Sequence, residues 1–154
     1  MASQEQKTSN VVATNRKARH EYFVLETVEA GIVLTGTEVK SIRDGNANLT
    51  DAYAAITNAE VWLLGMHVNP YEHGSYANKD PRRERKLLLH RKEIRRLMSR
   101  LGEPGTTLVP LQMHFSKHRA KVLLGVCRGK REYDKRQDIA RREVERDIRR
   151  HYAR

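Results

Sequence analysis

Cysteine is almost absent from this chain of 154 residues: Cys127 stands alone, so no intramolecular disulfide can form and a reducing compartment is expected. Long apolar runs are missing as well. No stretch approaches the roughly 18 apolar residues that span a bilayer. Met1-Ala-Ser-Gln-Glu-Gln-Lys7 leads into no apolar segment, which argues against a signal peptide. A cytoplasmic protein with no membrane role is the expectation. Aromatics are scarce, nine against 30 Lys/Arg, which speaks against a single-strand binder built on stacking platforms. Nucleotide and nucleophile-elbow motifs are lacking: there is no Gly-x-Gly-x-x-Gly and no Gly-x-Ser-x-Gly. Gly125-Val-Cys-Arg-Gly-Lys-Arg131 is one residue short of a P-loop and carries Arg131 where a magnesium-binding hydroxyl belongs.

Positive charge is what the chain has in excess. The formal net charge is +11 and 32% of residues are charged, against about a quarter in ordinary globular chains. The excess is clustered. Residues 1–78 hold 6 Lys/Arg against 9 Asp/Glu, residues 79–100 hold 10 against 3, and residues 128–154 hold 11 against 6. A solvated surface accounts for charge but not for such blocks; a polyanion partner does.

The length suits one domain with extensions. Residues 1–14 are polar and aperiodic and read as a flexible arm. Asn15-Arg-Lys-Ala-Arg-His20 is a short basic stretch. Glu21–Val28 reads as a strand, Glu29-Ala-Gly31 as a tight turn with Gly31 at positive φ, and Ile32–Thr35 as the returning strand. A short helix is expected over 37–43, capped near Gly45. Ala52–Ile56 and Val61–Met66 form a hairpin around a four-residue loop, Thr57–Glu60. Residues 69–81 form a long exposed loop. Ile94, Leu97, Met98 and Leu101 fall on one stripe of a helix whose other face carries Arg91, Lys92, Arg95, Arg96 and Arg100; Gly102 and Pro104 stop it. Val109–Phe115 and Val122–Val126 alternate as a second hairpin around Ser116–Arg119, with Pro110 marking an edge or a bulge. Beyond Gly129 the chain is charged at about every second position. Its i,i+4 pairs, Asp138–Arg142 and Glu145–Arg149, contribute only ~0.2–0.5 kcal/mol each. A tail that is disordered until a partner orders it as a helix is expected. Short, closely spaced strands suggest a small, mainly β barrel.

Catalytic constellations are not evident. His114 and His118 fall across a strand and a turn with no third ligand near, and read as surface or RNA-facing side chains rather than a metal pair. Cys127 ends an apolar strand and reads as inert packing. The carboxylates are scattered; Glu29 is the one that would matter beside a basic surface, accepting from base or ribose donors. With no enzyme, metal or cofactor indicated, a folded RNA recognised by backbone and shape is favoured. The alternatives are an RNA-modifying or RNA-cleaving enzyme and a ribosomal structural protein. Tyr22, Phe23, Tyr53, Trp62 and Phe115 read mostly as core.

Several ordered blocks resemble the SsrA-binding protein (small protein B) family: Asn15–Phe23, Glu29-Ala-Gly31, Gly36–Arg43, Asn48–Tyr53, Asp80–His90 and Gly129–Arg136. The resemblance runs from about residue 10 to the C-terminus. It implies an OB-like closed barrel of about six strands over residues 15–129, with two or three flanking helices and a basic tail over 130–154. It implies binding to the tRNA-like domain of transfer-messenger RNA and delivery of that RNA to stalled ribosomes for trans-translation. The tail is then expected to enter the small-subunit decoding centre and the empty mRNA channel, and the protein to act as a monomer. The RNA-contact positions implied by the family are Asn15, Glu29, Leu88 and Lys121. Charge and proximity in sequence add Arg16, Lys17, Arg19, Lys86 and Arg119. The tail motif falls on Gly129, Lys130, Arg131, Tyr133, Asp134, Lys135 and Arg136, with Tyr133 where some members have histidine.

Overall fold

The computed structural model describes residues 10–71 and 80–152, apart from the side chains of Glu132, Tyr133 and Tyr152. Nine strands are described: β1 (Val11–Thr14), β2 (Tyr22–Ile32), β3 (Ala47–Asn48), β4 (Tyr53–Thr57), β5 (Glu60–Leu64), β6 (His67–Val68), β7 (Arg85–Leu88), β8 (Thr106–Ser116) and β9 (Arg119–Gly129). The helices are α1 (Arg16–Glu21), α2 (Gly36–Arg43), α3 (Arg91–Leu101) and α4 (Glu132–Tyr152). Six strands form an antiparallel ring in the order β8-β4-β5-β7-β2-β9, closed by pairing of β9 with β8. This is the small closed barrel expected, with β1 added beside the second half of β8 and β3–β6 as a separate pair.

Alternation fills the ring. Ala30, Val61, Leu63, Leu87, Leu108, Met113, Val122, Leu124 and Val126 point inward and are buried. Helix α3 lays Leu97 into this core, with Ile94 and Leu101 partly covered; Met98, on the rim of its stripe, stays half exposed. Helix α2 contributes Ile42 and begins with a full capping box between Thr35 and Glu38. It ends where expected, with Gly45 at φ +80°.

Several expectations need correction. Glu29-Ala-Gly31 is not a turn: β2 runs on for 11 residues, and these three pair with Leu123, Val122 and Lys121. Gly31 is needed there for closeness, since a Cβ on it would lie 3.3 Å from Leu88 Cβ. The β4–β5 loop is two residues, not four: Thr57 pairs with Glu60, and Asn58 and Ala59 both adopt positive φ. The β8–β9 turn repeats this geometry at Lys117 and His118, as the twist of a hairpin favours. The basic stretch after Asn15 is a helix, α1, too short to show periodicity. Pro110 does mark a bulge, with register slipping between Pro110 and Gln112, but on a strand paired on both edges. Of the loop expected over 69–81, residues 72–79 lie outside the described residues.

The tail, expected to take helical form on a partner, is one helix here, α4, over Glu132–Tyr152. Its apolar residues do not hold it, for Ile139, Val144 and Ile148 remain exposed. A polar anchor does. Asp138 accepts from Lys130 Nζ, from Arg141 at 2.7 Å and from Arg142 at 2.8 Å. Lys130 Nζ and Arg142 also donate to the carbonyl of Arg19 on α1, tying the tail to the barrel. The Asp138–Arg141 and Asp138–Arg142 pairs have the local spacings of helix neighbours, three and four residues apart, whereas the Lys130 and Arg19 bonds do not.

Candidate nucleic-acid interface

The outer face of β7-β2-β9-β8 follows from the same alternation. With Leu87, Ala30, Val122 and Met113 inward, the flanking Leu88, Gly31, Lys121 and His114 turn outward, and backbone register places them in one row across the four strands. Leu88 is 52% exposed although apolar, and covers Gly31. Glu29 sits two residues back on β2, its Oε1 3.5 Å from His114 Nε2. Lys86 precedes Leu88 by two on the same face and pairs with Glu60 at 3.3 Å. Arg119 opens β9, exposed, two residues before Lys121. Positions 29, 86, 88, 119 and 121, dispersed in sequence, thus gather on one side of the barrel.

The other half of this outer face is covered. A small second core of Ala18, Val109, Leu111 and Cys127 lies between α1 and the sheet. Leu111 is the bulged residue of β8 and drapes over Gly125, where a Cβ would lie 2.9 Å from Leu111 Cδ1. The bulge frees the carbonyls of Pro110 and Leu111 from the ladder, and Asn15 takes both. Its backbone N–H donates to Leu111 O at 2.8 Å and its Nδ2 to Pro110 O at 2.9 Å and Leu49 O at 3.0 Å. Its Oδ1 accepts from Ala18 N–H at 3.1 Å as the N-cap of α1. Asn15 is therefore 1% exposed with its side chain fully engaged, and a direct contact from that side chain to RNA would break these bonds. What it positions is α1, which presents Arg16, Lys17 and Arg19 to solvent; Lys17 pairs with Asp51 at 3.3 Å.

Cys127 is buried, and that burial pushes its thiol up to about 11, against a weaker opposite pull from Arg19, so it is protonated and unreactive at neutral pH. Of the two histidines read as surface or RNA-facing, His118 is an exposed turn residue, whereas His114 is buried and so is not a surface side chain, although its strand position is on the outer row opposite Lys121. Among the described residues no three His, Cys, Asp or Glu side chains converge as a metal site would need. Tyr53, expected in the core, is 51% exposed on β4.

In the tail motif, Gly129 ends β9 opposite Tyr22. Lys130 turns inward: its side chain is 4% exposed, its Nζ serves Arg19 O and Asp138 and lies 5.1 Å from the Phe23 ring centroid. Arg131 and Arg136 face solvent, and Asp134 accepts from Arg131 N–H at 3.3 Å at the start of α4. Lys135 is half-buried on the first turn, and the Tyr133 side chain lies outside the described residues.

Sequence reading missed one buried network. Glu38 bonds to Arg83 and, at 2.7 Å, to Arg85 Nε. Arg85 is fully buried and also donates to the carbonyls of Met66, Arg83 and Pro81. Burial alone would raise the Glu38 carboxyl, but Arg83, the Thr35 N–H and Arg85 together hold it below its ordinary 4.5. Arg83 and Arg85 belong to the basic cluster over 79–100 that suggested a polyanion partner, but both are engaged by Glu38 of α2.

The fold is a closed antiparallel barrel whose outer sheet face carries apolar and cationic side chains side by side. The chain belongs to the SmpB protein family, whose model matches residues 12–154. It is 54% identical over 154 residues to the SsrA-binding protein of Nocardia farcinica, covering 100% of this chain and 96% of that one. The SsrA-binding protein of Desulforudis audaxviator is 57% identical over 148 residues, covering 96% and 95% of the two chains. A solved structure, "tmRNA-SmpB: a journey to the center of the bacterial ribosome", matches with a TM-score of 0.66 and 51% identity over 82% of this chain and 92% of that one.

Proposed function

We propose that this protein binds the tRNA-like domain of transfer-messenger RNA through the outer β7-β2-β9-β8 face and the solvent side of α1, and carries that RNA to stalled ribosomes for trans-translation. The observation that carries the reading is the registered row Leu88–Gly31–Lys121 with Glu29 beside it: residues distant in sequence, of the kinds an RNA surface needs, brought to one open face. Lys121, Arg119 and α1's Arg16, Lys17 and Arg19 meet phosphates. Exposed Leu88 packs on a ribose or base face. Glu29 accepts from base or ribose hydroxyl donors, adding discrimination rather than affinity. The protein is a monomeric cytoplasmic binding partner, not an enzyme; no described helix is long and apolar enough to cross a membrane.

The tail acts on the ribosome. Arg131, Tyr133, Lys135 and Arg136 contact the decoding centre, and the rest of α4 follows the empty mRNA channel. Gly129, Lys130 and Asp134 set the angle at which α4 leaves the barrel, a reading supported by the inward Lys130 and its bond to Asp138. The test is capture of the tagged protein from its own lysate at moderate salt, with sequencing of the bound RNA. Strong enrichment of one tRNA-like, message-carrying RNA is expected; a mixture tracking RNA abundance would contradict the reading.

A further inference from the structure

The basic block over residues 79–100 has two fates. Glu38 engages Arg83 and Arg85, Glu60 engages Lys86, and Glu26 engages Arg96 and Arg100. On α3, Arg91, Lys92 and Arg95 are left over: all three are exposed, and among the described residues no ion pair involves them. With Ser99 they make up the solvent face of the helix, opposite the buried Leu97. The arrangement is unfavourable for the helix itself. Arg91 and Lys92 stand in the first turn, where the helix dipole disfavours cations. Arg91–Arg95, Lys92–Arg96 and Lys92–Arg95 put like charges four and three residues apart. Charges kept only for solubility would be interspersed in sign. A face that opposes local stability and buries nothing is accounted for by a ligand.

This face is turned away from the row around Lys121. Leu97, with Ile94 and Leu101 beside it, packs into the cluster that the strands enclose, so α3 lies over one mouth of the barrel and its opposite side looks out along the barrel axis. Lys121 and Leu88 look outward from the barrel wall. The two surfaces are rigidly joined. Only Leu89 and His90 separate Leu88 from Arg91, and Glu26 of β2 holds Arg96 at 2.7 Å and Arg100 at 3.1 Å. Thr106 Oγ1 donates to the Arg100 carbonyl at 3.1 Å and fixes the other end of the helix. An RNA on the wall therefore leaves the α3 face open to another. Guanidinium forks one turn apart suit neighbouring phosphates, and α3 carries no aromatic side chain to stack a base, so the ligand is a nucleic-acid backbone.

We propose that the Arg91–Lys92–Arg95 face of α3 is a second RNA surface, and that its occupant is the phosphate backbone of a ribosomal RNA duplex. The proposal rests on the reading of this protein as the carrier of a tRNA-like RNA to the ribosome. That RNA occupies the wall, and ribosomal RNA is the second polyanion that delivery brings within reach. The contact is one of charge and shape and reads no base.

The experiment compares the full chain with a variant carrying Arg91→Gln, Lys92→Gln and Arg95→Gln, all at exposed helical positions where glutamine keeps the helix. Two affinities are measured over a range of salt: for the isolated tRNA-like domain of transfer-messenger RNA, and for purified ribosomes, the latter with and without that RNA bound. The variant should bind the tRNA-like domain within about twofold of wild type. Its ribosome affinity should fall about tenfold or more at moderate salt, with a log–log slope shallower by about two to three phosphate contacts. Equal ribosome affinity and slope overturn the proposal. A loss that falls on the tRNA-like domain overturns it too, by giving α3 to that RNA. A wild type that does not bind the tRNA-like domain removes the RNA reading of the wall, and the ribosome arm without RNA still decides the α3 face. A second readout identifies the occupant. Cys127 is buried, so Ser99→Cys, at an exposed position within the face, provides the one exposed thiol for an iron chelate that cleaves nearby nucleic-acid backbone. Cleavage of ribosomal RNA is expected on the ribosome; cleavage confined to the tRNA-like domain, or none, overturns the proposal.

Discussion

The side-chain amide of Asn15 donates to the carbonyl of Pro110 at 2.9 Å across a separation of 95 residues, and this bond joins α1 to the bulge in β8. The bulge and the asparagine need each other. Pro110 and Leu111 turn carbonyls away from the ladder, and Asn15 supplies the donors while capping α1. The cationic helix is thereby fixed against the sheet face.

Asn15→Ala should cost about 2–4 kcal/mol, the sum of a lost N-cap and two buried carbonyls left unpaired. RNA affinity should fall in step, because α1 loosens. Urea unfolding followed by titration of the RNA checks this. A variant as stable as wild type that nonetheless loses RNA binding would mean that Asn15 contacts the RNA directly.

Glu38→Gln should destabilise the fold by about 3–5 kcal/mol by leaving the buried Arg85 guanidinium without its counter-charge. The wild-type pair has a definite pH signature. The folded carboxyl titrates below the unfolded one, so its stabilisation is complete above the ordinary 4.5 and is lost as pH falls through the lowered folded value. Thermal melts from neutral to acid pH should show that loss for wild type and a flatter profile for Glu38→Gln.

Gly125→Ala should cost about 1–3 kcal/mol, since its Cβ would press on Leu111 and, at 3.1 Å, on Cys127 Sγ. Adding Leu111→Val should recover part of the loss in a chemical unfolding series. Additive losses would show that the clash does not set the cost.

Asp138→Asn should release α4 from the barrel while leaving RNA affinity within a few-fold. Lys130, first among its partners, keeps the Asp138 carboxyl charged and below its ordinary value, with Arg142 and Arg141 contributing. Amide exchange over the first turns of α4 should quicken by about tenfold when those charge-assisted bonds go. Unchanged exchange would mean that the tail is held by something other than this anchor.

Much of this molecule is legible from sequence where the signal is periodic. The alternation in β8 and β9, the stripe of α3 and the cap at Gly45 all appear as read. The failures share a cause: a residue type with two uses. Gly31 suggested a turn because glycine usually supplies positive φ, but here it makes room for Leu88. Asn15 and Lys130 match family positions and look like surface contacts, yet both are consumed inside by partners 95 and 8 residues away. Glu38 and Arg85, separated by 47 residues, carry no local pattern that announces a pair. The pairing of His114 with Glu29 is likewise a matter of strand order, which composition and spacing do not supply.

The central claim is that the outer row around Lys121 and Glu29 is the RNA surface. The most direct measurement is the affinity of the full chain for the tRNA-like domain across a range of salt concentrations, for wild type and for Glu29→Ala with Lys121→Ala. The double variant should fold normally and bind more weakly at moderate salt. Its log–log salt dependence should be shallower by about one phosphate contact, as removal of Lys121 requires. An unchanged affinity and slope would contradict the account and move the RNA surface elsewhere on the protein.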